Sequence, residues 1–216
     1  NGIRFIYASS AATFGNGDNG MSDSADLSTL RPLNAYGYFK HLTDQYIQNQ
    51  GWMDRIVGLK YFNIVGPGEN HKADMQSVVA KGFEEIRNTG KLTLFKMPTD
   101  RPIGRDFLYV KDAAAITTWF ALNKTGQKAN GLFNVGSGIV TSWDKLANYI
   151  FDAMGLPIDI RYIPIPDHLK GKYQYFTQAN ISKLRNAGFS AEITPNKEAV
   201  MDYVHNYLIP DKRIAT

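Results

Sequence analysis

The stretch "FIYASSAATFGNGDNG", residues 5–20, ends in six residues that spell G-x-G-x-x-G, and it opens on a β-branched, aromatic run that reads as a strand. A phosphate-cradling dinucleotide loop works because its last glycine opens a helix whose N-terminus faces the pyrophosphate. It therefore needs an apolar, helix-periodic segment directly behind it. Here Gly20 is followed by "MSDSADLSTLRPLN", which is polar and broken by Pro32. "SSAATF" also separates the strand from the glycines. The stretch predicts a turn-rich surface loop in which Gly and Asn supply positive φ. The informative part is then the "SSAAT" in front of the glycines.

With 216 residues, 44% hydrophobic and 20% charged, the composition is that of a soluble globular chain with one large or two small domains. The absence of cysteine excludes disulfides and thiolate metal sites and fits a reducing, cytoplasmic setting. The four histidines have no metal-ligand spacing, so no metal site is expected. No apolar run approaches the roughly 20 residues of a membrane span, so no membrane partner is expected. The net charge of +4 is scattered along the chain, which argues against nucleic acid and suits an anionic small molecule. The chain opens inside a strand and without Met, which reads as a piece of a longer protein.

Strands are predicted at 3–10, 55–66, 91–97, 105–110, 131–138 and 159–166, the last held to an edge by its prolines. Those at 3–10, 55–66 and 131–138 read as fully buried. Helices are predicted at 34–50, 75–90, 111–124, 141–155, 180–189 and 196–208, with Asn34, Asp112 and a Thr/Ser pair as caps and Gly90 and Gly188 as stops. In the 34–50 helix the apolar positions are Tyr36, Phe39, Leu42, Tyr46 and Ile47. The alternation of strand and helix implies an α/β fold with a mostly parallel sheet. Too few buried strands are present for a complete doubly wound sheet. The expectation is the C-terminal portion of a Rossmann-type sheet plus a smaller mixed α/β substrate domain. It divides into a dinucleotide-domain part (1–65), a substrate-domain segment (66–110), a helix and strand returning to the sheet (111–140) and a mainly helical substrate part (141–216).

Tyr36 and Lys40 form Tyr-x-x-x-Lys on one face of a predicted helix. An ammonium beside a phenol favours the phenolate and turns a poor base into a usable one. With 12 tyrosines in the chain, about one such spacing arises by chance, so context must carry it. That context is Ser10, a hydroxyl at the C-terminal end of its strand, where open α/β sheets place ligands.

The Ser9–Ser10 pair, Tyr36-x-x-x-Lys40, "YFNIVGP" and "RDFLYVKD", in this order, resemble the extended short-chain dehydrogenase/reductase family. "YFNIVGPGENHKADM", "FNVGSG" and "PIPDHLKGKYQYFTQAN" are similar to a branch that epimerises ADP-sugars, and the likeness runs from residue 5 to about 180. The resemblance implies that about a hundred N-terminal residues, with the true glycine fingerprint, precede this chain. It implies transient oxidation of an alcohol to a ketone with NADP, or NAD as the alternative, and an ADP-sugar substrate. A homo-oligomer is also implied. Tyr36 would be one acid/base group, Lys72 the second, and Ser10 their catalytic companion. Lys40, Ile64 and Lys72 would touch the cofactor. Ser10, Asn63, Asp74, Lys81, Phe95, Arg105 and Tyr173 would touch substrate, with Lys170 and Lys172 adding charge nearby. A planar guanidinium at Arg105 suits bidentate capture of a diphosphate; the plainer reading is an ion pair with Asp106 or Asp112. Asp74 stands where the branch has Ser, Lys81 where it has His, and the stretch between Phe95 and Arg105 is longer. These departures leave open a related 4-epimerase, or a dehydratase, although Ser10-Ala-Ala lacks the acidic pair of the latter. A binding or assembly module without catalysis is the reading from another class.

Overall fold

The structure, a computed structural model, describes residues 5–98, 100, 103–122, 129–167 and 173–212. In chain order its elements are β1 (Phe5–Ser10), α1 (Ala35–Asn49), β2 (Ile56–Tyr61), β3 (Asn63–Val65), α2 (Val78–Thr89), β4 (Leu92–Phe95) and β5 (Arg105–Tyr109). They continue as α3 (Val110–Leu122), β6 (Gly131–Val135), β7 (Val140–Thr141), α4 (Trp143–Met154), β8 (Ile160–Ile163), α5 (Ser182–Asn186) and α6 (Asn196–Tyr203). The expected α/β class with parallel pairing holds. β1, β2 and β6 form one parallel sheet in that order, with Ser10 opposite Tyr61 and Tyr61 opposite Val135. β3 pairs parallel with β5, which also pairs antiparallel with β7, while β4 and β8 form a separate parallel pair.

The run 55–66, expected as one strand, is two. Phe62 interrupts it: its ring packs 6.3 Å from Phe14 in the core and its N–H bonds the Val135 carbonyl at 2.9 Å. Beyond it the chain leaves β1 and β6 and pairs with β5, which places Asn63 where the two sheets diverge. The buried strands also differ from expectation. β5 is buried along its whole length, whereas among the described residues β1 pairs only with β2 and leaves Phe5 58% exposed.

The loop holding the six-residue glycine pattern contains two short 3-10 turns, Ala11–Phe14 and Leu27–Thr29, and no helix opens at Gly20. Gly15, Gly17 and Gly20 all have positive φ. A Cβ at Gly15 would lie 1.9 Å from the Arg31 carbonyl, so this glycine closes the loop on itself and cradles no phosphate.

Helix ends differ in instructive ways. α2 starts at Val78 under a Ser77 cap and stops at left-handed Gly90. α3 starts at Val110, so Asp112 is inside the helix rather than its cap; its carboxylate accepts from the Thr194 N–H and hydroxyl. Thr141 belongs to β7, leaving Ser142 to cap α4. α5 is only five residues, and α6 runs on into a π-helical turn, Val204–Leu208. Residues 3–4 and 123–124, expected at element ends, lie outside the described residues.

α1 lies the other way round from its apolar stripe. Tyr36, Phe39, Leu42 and Tyr46 are exposed, and the buried face is Gly37, His41, Asp44 and Ile47. A cation under the helix accounts for this. Lys60, buried in β2, places its Nζ 2.6 Å from the Asp44 carboxylate and 2.7 Å from the Thr13 hydroxyl. The Ser9 and Tyr7 hydroxyls donate to the same carboxylate at 2.8 Å each. A buried pair is tolerable only when its remaining bonds are satisfied in this way. One apolar core lies between α2, α4, α6 and the strands β4 and β5, a second beneath α3 between β2, β5 and β6.

Candidate active site

β1 ends in two buried serines. The Ser10 hydroxyl oxygen accepts the Ala12 N–H at 3.1 Å and caps the turn that follows. Asn34 caps α1 by accepting the Gly37 N–H at 2.9 Å, which puts Tyr36 in the first turn and Lys40 one turn on. A Cβ at Gly37 would meet the Ala12 carbonyl at 2.7 Å, so glycine there lets α1 lie directly on the turn after Ser10. The Lys40 Nζ donates to the Ala8 carbonyl at 2.7 Å and stands 5.8 Å from the centre of the Tyr36 ring. α1 is thereby tied to β1 on both sides of the Tyr/Lys pair.

Lys72 comes from the 3-10 segment Asn70–Met75. Buried Glu69 pins the base of that segment, accepting the Ser77 N–H and hydroxyl at 2.6 Å each and the Tyr203 hydroxyl at 2.9 Å. Next to Lys72, Ala73 has φ 46° and ψ −122°, a conformation an alanine holds only when its surroundings impose it, at a cost of about 1–3 kcal/mol. Such outliers gather at working sites.

Ser10, Tyr36, Asn63, Ile64 and Lys72 all line one cavity of about 560 Å³. It opens at the C-terminal ends of the parallel strands β1 and β2, where open α/β sheets receive ligands. Lys40 is not on its wall. The Asp74 side chain, expected to touch substrate, lies outside what the structure describes, as do Lys170 and Lys172.

Lys81, Phe95 and Tyr173 line a second, more apolar cavity of about 280 Å³, with Phe95 edge-on to Tyr173 at 6.3 Å. Gln76, Val78 and Trp143 line both cavities. Arg105 stands beside them, its guanidinium 5.4 Å from the Tyr173 ring. Its Nη1 donates to Gln174 Oε1 at 2.7 Å, and Gln174 in turn donates to the Gly15 carbonyl. The plainer reading of Arg105 is not what is found. Asp106 accepts from Ser137, Gly138 and Ala179, and Asp112 from Thr194. Among the described residues no carboxylate pairs with Arg105, and its buried Nε has no partner. Burial pulls the guanidinium below its usual value while the Tyr173 phenol beside it works the other way. A buried cation without a counter-charge is a site for an anion.

Sequence reasoning missed Trp143 and Gln174. Gln174 sits beside Tyr173 in the chain and could have been included with it; Trp143 carried no signal beyond opening a helix. A hydroxyl, a phenol and an ammonium in one cavity can exchange protons with an alcohol. Among the described residues no group of three or more His, Asp or Glu could hold a metal, and no helix is long and apolar enough to cross a membrane.

Against known proteins, the NAD dependent epimerase/dehydratase family matches residues 1–136. An ADP-L-glycero-D-manno-heptose-6-epimerase of Nitratidesulfovibrio vulgaris (strain DP4) is 44% identical over 212 residues, 96% of this chain and 65% of the relative. The chain thus spans 65% of the length of the curated relatives it matches. Two solved structures share the fold: UDP-N-acetylglucosamine 4-epimerase from Methanobrevibacter ruminantium M1 has TM-score 0.80 at 23% identity, covering 97% of this chain and 64% of that one. The Helicobacter pylori ADP-L-glycero-D-manno-heptose-6-epimerase has TM-score 0.72 at 23% identity, covering 94% of this chain and 59% of that one.

Proposed function

The chain belongs to the NAD dependent epimerase/dehydratase family, and from that premise we propose that it carries the acid/base and substrate-binding residues of a nucleotide-sugar epimerase. The reaction is inversion of carbon 6 of an ADP-glycero-manno-heptose through a transient ketone, in the cytoplasm, for the inner core of lipopolysaccharide. The observation that carries this reading is that Tyr36 and Lys72, from different elements, line one cavity together with Ser10. The 44% identity to a heptose epimerase supports the choice of sugar.

The cavity at the ends of β1 and β2 would take a dinucleotide's reactive end, held by Ile64 and Lys72 on its wall and by Lys40, which stands off the wall beside Tyr36. NADP, with NAD as the alternative, supplies the hydride acceptor and donor when bound. The protein's part is proton traffic and position. Tyr36 takes the hydroxyl proton of the alcohol while the Ser10 hydroxyl bonds the same oxygen. Lys72 serves the other face of the planar ketone, and one group on each face is what inversion requires. Asn63 holds the sugar, Arg105 neutralises the diphosphate, and the cavity of Lys81, Phe95 and Tyr173 takes the base. A homo-oligomer belongs to the same proposal.

The test is to supply both carbon-6 epimers of the ADP-heptose to the full-length protein and follow their interconversion by NMR. Wild type interconverts them, and Tyr36→Phe or Lys72→Met lowers kcat by about 10²–10⁴. Turnover of UDP-hexoses in place of the heptose would move the assignment to a 4-epimerase. Binding without any turnover would leave a binding module.

A further inference from the structure

Trp143 opens α4 immediately after the Ser142 cap and separates the two cavities while lining both. Its ring is fixed edge-on against Phe107, with centroids 5.6 Å apart and planes at 76°. The Arg105 guanidinium lies 6.0 Å from the ring centre. The indole Nε1 and the neighbouring Arg105 Nε are buried and neither makes a hydrogen bond of ordinary geometry among the described residues, although the Tyr173 phenol lies within reach of both side chains. Buried donors are nearly always satisfied, so two donors side by side that the protein serves this poorly favour an acceptor on a ligand. The phenol of Tyr173 belongs to the same cluster: burial pushes it up, while the Arg105 guanidinium and the Trp143 indole oppose that rise. An anion suits these donors, because one of them belongs to a buried cation that pairs with no carboxylate among the described residues. It must offer more than one oxygen, and it must lie where a ligand would pass from one cavity to the other.

We propose that the Trp143 indole N–H donates a hydrogen bond to a phosphate oxygen of a nucleoside diphosphate, at the junction of the sugar and base cavities. Trp143 is then a substrate-binding residue acting with Arg105. The assignment rests on the nucleotide-sugar reading of the site, but not on which base or sugar is bound.

The decisive experiment titrates ADP, UDP and adenosine into the full-length protein and into Trp143→Phe by calorimetry. Phenylalanine keeps the packing on Phe107 and removes the N–H. A hydrogen bond to a charged group predicts about ten- to hundredfold weaker ADP binding in the variant, with adenosine unaffected. Equal ADP affinity in both proteins overturns the role of the indole and leaves the nucleotide-sugar reading standing. If wild type prefers UDP, the ADP-sugar assignment falls, while the same loss measured on UDP upholds the indole. Failure of wild type to bind either nucleotide overturns both. Should the variant fold poorly, the indole N–H resonance of wild-type Trp143 gives a second readout. It moves downfield with ADP and not with adenosine; no movement overturns the proposal.

Discussion

His41 sits on the buried face of α1 with its Nδ1 unpartnered among the described residues. Burial is the first cause that holds its pKa below the ordinary 6.5, and the Lys60 and Arg31 cations add to it, while Asp44 opposes them. As pH falls through 6.5 the unfolded chain takes the proton first, so the stability linked to a neutral His41 is present above that pH and lost below it. The melting temperature is accordingly expected to drop between pH 7.5 and pH 5.5, with His41→Gln flattening the drop. An equal drop in the variant would show that other groups cause it. At this scale the sequence was informative where chemistry is local. Ser10 and Tyr36 share a cavity wall, with Lys40 beside Tyr36, and that proximity was readable because a strand end and an i, i+4 helix pair are local features. Arg105 and Trp143 owe their meaning to what stands around them in space, a guanidinium without a carboxylate and an indole N–H without a well-placed acceptor among the described residues, and no spacing reports that.

α1 shows how an element's existence and its orientation are separate questions. Its start was readable from Asn34 and its length from the spacing, because a cap and a helical period are short-range signals. Its buried face was not, because Asp44 is buried by a cation on β2 that no helical pattern reveals. The division of 55–66 at Phe62 was hidden for the same reason, since a change of strand partner leaves no mark on a run of apolar residues. The cap also has a functional consequence, as Tyr36 lies in the turn it organises. Asn34→Ala is expected to cost about 1 kcal/mol in chemical denaturation. Because the protein stays folded, a fall in kcat with little change in KM would then report misplacement of Tyr36, with Asn34→Asp restoring it. Unchanged kcat in the alanine variant would detach the cap from the chemistry.

For the molecule as a whole, the alternation of strands and helices was sufficient to announce an α/β fold with parallel pairing. The partition into β1-β2-β6, β3-β5-β7 and β4-β8 was not legible, because pairing is non-local and side-chain period says nothing about partners. The partition matters for function. The sheets part at Asn63, and the first cavity opens there, walled by β1, α1 and the segment that carries Lys72. The second cavity lies beyond Trp143, against β4 and α2. A substrate with a reacting sugar at one end and a base at the other spans such a pair. Under the proposed function, the carbon is inverted by taking away a hydride and returning the same one. The direct measurement is to run the epimerisation in D2O and examine carbon 6 of the inverted product by NMR. Protium is expected there, since the hydride never meets solvent. Deuterium at carbon 6 would rule out hydride return and would mean that the carbon loses a proton rather than a hydride.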